Sequence, residues 1–198
     1  MKPFSSIWLR AHSSTAFLVA DCRGLAATEF AIVLPLMLLL FFGVVEFSSG
    51  VAVDRKVTLM ARTLSDLTSQ STSVSDGDLT NFFAASTGIM TPYSGAPTKS
   101  TITELYVDPK TLTARVQWSK GASPRSVSST VSIPAALQVG GTYLIFSEVN
   151  YLYVPTIGYV MAKAGITLSD FTYTRPRQST CVIYPTPSPG TISICPTS

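Results

Sequence analysis

The chain has 198 residues, 46% of them hydrophobic and only 13% charged, a length that accommodates one modest domain beside an apolar anchor. The formal net charge is +3, and residues 1–24 contribute +2 of it through Lys2, Arg10 and Arg23 against Asp21. The remaining near-neutral chain lacks the basic patch that nucleic-acid binding requires.

Residues 1–24 form a short basic leader. It is not an ordinary secretory signal, because the apolar run follows the candidate cleavage point instead of preceding it. Residues 18–22 end in Asp21-Cys22 and superficially suggest lipoprotein processing at Cys22. Asp21 stands where a small residue is needed and the apolar stretch before it is too brief, so that reading is rejected.

Residues 30–45 carry no charge, and with residues 25–28 the run reaches 21 residues, interrupted only by Glu29. About 20 apolar residues suffice to cross a ~30 Å hydrocarbon core as a helix. A carboxylate within such a run marks either a function or an interfacial position near a helix N-terminus, where the dipole favours it. Glu46 closes the run and reads as an acid just beyond the membrane. Lys2, Arg10 and Arg23 precede the span, which favours an inner N-terminus and an outer C-terminal part.

The helical pattern continues beyond the span. Val53, Val57, Met60, Leu64 and Leu67 recur at spacings of three and four, an apolar stripe on an otherwise polar stem. Packing on the chain's own domain is favoured over a partner helix as its use. Gly43 and Gly50 weaken the helix locally by about 1 kcal/mol each, and Pro35 is expected to kink it. The pattern predicts a helix over residues 25–69, close to 65 Å long at about 1.5 Å per residue. A Ser/Thr run over 69–75 breaks it, and Ser75 or Asp76 caps a second helix ending near Met90.

The period then changes to two. Residues 101–107 and 112–119 read as strands joined by the turn Asp108-Pro109-Lys110-Thr111. Residues 122–132 are uninformative, and 133–137 read as a short helix stopped by Gly140-Gly141. Residues 142–153 are the longest strand candidate, 156–164 a short helix or loop, and 166–174 a final strand. The expectation is an α+β chain: a long N-terminal transmembrane helix with its stem, then a small antiparallel sheet with short helices on one face. Its parts are a leader (1–24), the span and stem (25–70) and an outer domain (71–198) with a Pro/Thr/Ser-rich tail.

Catalytic chemistry is not expected. The one histidine, His12, precedes the span, so the outer domain has none for a nucleophile pair or a metal. Glu104 and Glu148 lie on separate strand candidates and read as solvated surface acids rather than a facing pair. No phosphate-binding glycine loop occurs. No cofactor, metal or small-molecule substrate is therefore expected. Cys181 and Cys195 lie 14 residues apart in the tail. Two thiols are too few for a structural zinc site, so a disulfide formed in an oxidising compartment is favoured over free surface thiols.

The segment Arg23-Gly24, Ala27, Glu29-Phe30-Ala31, Leu34-Pro35 and Glu46, with Ala61-Arg62 in the stem, resembles the TadE-like family, minor pseudopilins of tight-adherence (Flp-type) pilus systems. Weaker similarity returns at 148–155, 166–168 and 175–177. The resemblance implies cleavage by a prepilin peptidase between Gly24 and Leu25, which makes Glu29 mature residue five, a recognition or assembly position in pilins. It also implies an inner-membrane location, an outer domain facing the periplasm, and other pilins and the pilus machinery as partners. Phe30 stands where processed members typically carry tyrosine. TadG-like proteins share this type of anchor, and the alternative is an uncleaved, anchored binding module contacting an envelope partner.

Overall fold

The computed structural model describes residues 24–155, 165–186 and 195–196. His12, Cys22 and the helix or loop expected at 156–164 lie outside them. The chain is α+β and divides into two compact units, Met1–Phe47 and Ser48–Ser198.

Helix α1 spans Leu25–Ser69 and runs through Pro35, matching the predicted bounds. In the second unit its stripe is fully covered at Val53, Val57, Met60 and Leu64 by the unit's own sheet and loops, and half-buried at Leu67. Each such side chain contributes roughly 1.5–3 kcal/mol on burial. The exposed Asp66–Arg177 ion pair is worth ~1 kcal/mol or less, so packing fixes the stem. Helix α2, Asp76–Gly88, begins in a capping box in which Ser75 and Asp78 satisfy each other's backbone N–H, the reciprocal arrangement that closes a helix N-terminus. At its other end the Lys56 ammonium donates to the carbonyls of Ile89 and Thr91, both at 2.8 Å, where free carbonyls favour a cation.

Five antiparallel strands follow: β1 (Thr98–Val107), β2 (Ala114–Gly121), β3 (Thr130–Val131), β4 (Tyr143–Tyr153) and β5 (Ile166–Thr174). Their order is β3-β2-β1-β4-β5. β1 starts three residues earlier than predicted because the long β4 offers partners down to Tyr151. β2 starts two residues later because the turn runs on: Asp108 accepts from the N–H groups of Lys110 and Thr111, and Leu112 takes a left-handed φ of 56°. Glu104 pairs with Trp118 and Leu105 with Val116, so Gln117 is the extra residue of a β-bulge. The predicted short helix is a 3-10 turn at Ala135–Leu137.

One sheet face carries Ile102, Trp118, Ile145, Val149 and Tyr151 against α1 and α2. The other carries Leu105, Val107, Ala114, Val116, Leu144 and Phe146 beneath Ile133 and Leu137. Within the second unit both α-helices lie on one face, whereas the 3-10 turn expected among the helices of that face covers part of the other with its loop.

Candidate functional site

In the first unit, Gly24 immediately precedes the start of α1 at Leu25, the bond that the sequence singles out. Glu29 lies one turn further on and is exposed, as is Phe30 at 62%. Every side chain from 30 to 45 is exposed as well. An uninterrupted apolar surface of that length has no favourable home in water. Among the described residues, α1 is the one helix long and apolar enough to cross a membrane.

The second unit places its acids differently from the sequence expectation. Glu104 and Glu148 point to opposite faces of the sheet, since Glu104 pairs with Ile145 and Thr101 with Glu148. Glu148 binds the Arg125 guanidinium through both oxygens, and the guanidinium lies 5.0 Å above the Phe146 ring. Glu104 is not a surface acid: it is fully buried. Its Oε1 accepts from the Val182 N–H at 2.6 Å, whereas Oε2 has no partner among the described residues. Burial pushes its carboxyl up to about 8, against a smaller opposing effect of the Val182 N–H and the Trp118 indole. Tyr143 is pushed up to about 12, first by burial and then by Tyr106 and Glu104 beside it.

The cover over Glu104 is the tail, which the sequence showed only as a patternless segment. Cys181 and Cys195 form a disulfide with their Cα atoms 5.8 Å apart. From there the tail is tied into the fold as a strap. The Val74 N–H donates to Ile183 and the Ile183 N–H to Thr72, while the Trp118 indole donates to the Val182 carbonyl at 2.7 Å. Tyr184 donates to Asp76, and Tyr143 to the Pro196 carbonyl. At the stem's C-terminus the Arg177 N–H donates to Ser69, satisfying one of the carbonyls a helix end leaves open. Nothing local announces these bonds, since each joins residues far apart in sequence.

Residues 24–64 match the family model for TadE-like proteins. The chain carries a TadE-like segment. That segment contains Gly24, Leu25, Glu29 and Phe30, the exposed apolar surface and most of the stem. It ends before the sheet, so the similarities at 148–155, 166–168 and 175–177 lie outside the match. Searches of curated proteins and of solved structures find no match. At family level the TadE-like segment supports an involvement with the tight-adherence pilus, and its apolar helix is consistent with a single-pass membrane anchor.

Proposed function

We propose that the protein is a membrane-anchored minor pseudopilin that takes part in assembling a tight-adherence pilus. Its role is structural and non-catalytic. The observation that carries this reading is the family match over 24–64, on a helix whose apolar surface is exposed from residue 30 to 45.

In this reading a prepilin peptidase cuts between Gly24 and Leu25 at the inner membrane. The N-terminus before cleavage is cytoplasmic, following the positive charges ahead of the span, and the sheet domain faces the periplasm. Cleavage leaves an ammonium at Leu25, and Glu29 brings a carboxylate into the same apolar environment. An isolated charge is costly there, and pairing the amine of one subunit with Glu29 of the next offsets the desolvation of both. Glu29→Ala is therefore expected to leave the protein inserted while pilus output and co-purification with other pilus components fall. Unchanged output and co-purification would remove Glu29 from assembly.

One observation favours a second reading. Most of the chain is a separately packed unit, Ser48–Ser198, with a disulfide-closed strap and little overlap with the TadE-like match. Such a unit suits an uncleaved, TadG-like binding module held at the membrane by α1. The two readings share the anchor and differ at the bond after Gly24.

A further inference from the structure

The two faces of the sheet are unequally covered. The α-helices take one face, and the loop carrying Ile133 and Leu137 takes the Leu105 and Leu144 end of the other. Strand register extends that second face as rows from β1 through β4 to β5. Phe146 stands between Thr103 and Tyr173, Glu148 between Thr101 and Phe171, and Asn150 between Lys99 and Ser169. Alternate residues of a strand share a face, so all of these side chains rise from one surface.

Arg125 lies over the first two rows: it binds Glu148, and its guanidinium stands 5.0 Å above the Phe146 ring. Those two charges cancel. The third row stays open. Lys99, Asn150 and Ser169 are exposed, and their side chains make no hydrogen bond or ion pair among the described residues. Beside them Phe171 is 59% exposed. T-shaped contacts at 6.0 Å to Phe146 and 5.8 Å to Tyr173 hold its ring in place. A groove of about 290 Å³ adjoins the row, with Lys99, Asn150, Leu152 and Thr167 in its lining.

The chemistry narrows the occupant. Asn150, Ser169 and Thr167 can each donate and accept hydrogen bonds, as the hydroxyls of a sugar do. Phe171 and Leu152 offer apolar surface to the C–H face of a sugar ring. Lys99 is the unpaired charge among the described residues of these rows, because Asp170 pairs with Val149 on the opposite face. An anionic ligand is therefore favoured. A docked protein would need roughly 1,000 Å² of interface around an apolar core, whereas Leu152 and Phe171 are separated here by the polar row. From Lys99 to Ser169 is two strand spacings, ~10 Å, within the span of a short oligosaccharide. We propose that this face binds an acidic saccharide, with its carboxylate on Lys99, its hydroxyls on Asn150, Ser169 and Thr167, and a ring against Phe171. The site lies wholly within the second unit and does not depend on cleavage after Gly24.

The test is a ligand-observed NMR titration of the full chain in a sugar-free zwitterionic detergent. The probes are trigalacturonate, an alginate trimer and sialyllactose, with maltotriose as the neutral sugar and inorganic phosphate as the plain anion. At least one acidic probe is expected to bind saturably, and its affinity should fall about tenfold in Lys99→Gln. Phe171→Ala should weaken that probe and maltotriose alike, whereas Lys110→Gln, in the β1–β2 turn, should change neither. Near-ultraviolet circular dichroism checks that each variant keeps its fold. The proposal is overturned if none of the acidic probes binds or if maltotriose binds as tightly as they do. It is equally overturned if phosphate displaces them at matching concentration, which marks an anion site only, or if Lys110→Gln weakens binding as much as Lys99→Gln.

Discussion

Glu104→Gln is expected to stabilise the folded domain at pH 8 by roughly 4 kcal/mol, while changing little at pH 4.5. An ordinary glutamate releases its proton near 4.5, and the buried Glu104 holds its proton up to about 8. Between those values the folded state binds one proton more than the unfolded chain, so raising the pH favours unfolding. Stability is fullest at or below pH 4.5, falls by about 1.4 kcal/mol per pH unit through the window, and levels off above pH 8. Glutamine keeps an oxygen for the Val182 N–H and has no proton to lose. Thermal unfolding of the full chain in detergent, followed by near-ultraviolet circular dichroism, reads this directly. At about 2–4 °C per kcal/mol for a chain of this size, the variant should melt on the order of 10 °C higher at pH 8. Parallel pH profiles for the two proteins would show that Glu104 is not held neutral.

The second large effect is expected at the strap. Replacing Cys181 and Cys195 together by serine should cost roughly 3 kcal/mol, since the bond closes a loop whose freedom the unfolded chain otherwise regains. The melting point should drop by about 6–12 °C. The same change should also flatten the pH profile. Val182 follows Cys181 directly, and its N–H and carbonyl hold Glu104 and Trp118; once the strap is loosened, water reaches the carboxyl and its proton leaves at lower pH. The two sites share one contact, so their effects should not add. Full additivity, with an unchanged pH slope in the serine variant, would separate the disulfide from the burial of Glu104.

What the sequence made legible follows the range of the interactions involved. The bounds of α1 are readable because an apolar run passes directly into a stripe spaced by three and four. The start of α2 is readable because Ser75 and Asp78 form a local cap. β4 and β5 are readable from their β-rich composition and flanking breakers. Glu104 is not, because both faces of β1 are covered: Ile102 and Glu104 face the helices while Leu105 and Val107 face the loop. Alternation on such a strand does not distinguish a buried acid from an exposed one. Nor does any spacing show that Val182 lies over Glu104 or that Arg125 reaches Glu148. The candidate processing site is the reverse case, since Gly24, Leu25 and Glu29 are legible from a compact local motif and the fold adds only their place at the start of an exposed helix.

In the proposed function the chain is cut after Gly24 and acts as a pseudopilin. Intact mass spectrometry of the membrane-extracted protein, produced alongside its pilus machinery, tests that most directly. The expected result is a mature N-terminus at Leu25 that is lost in Gly24→Ala. A membrane-embedded protein still beginning at Met1, in the presence of an active prepilin peptidase, would contradict it.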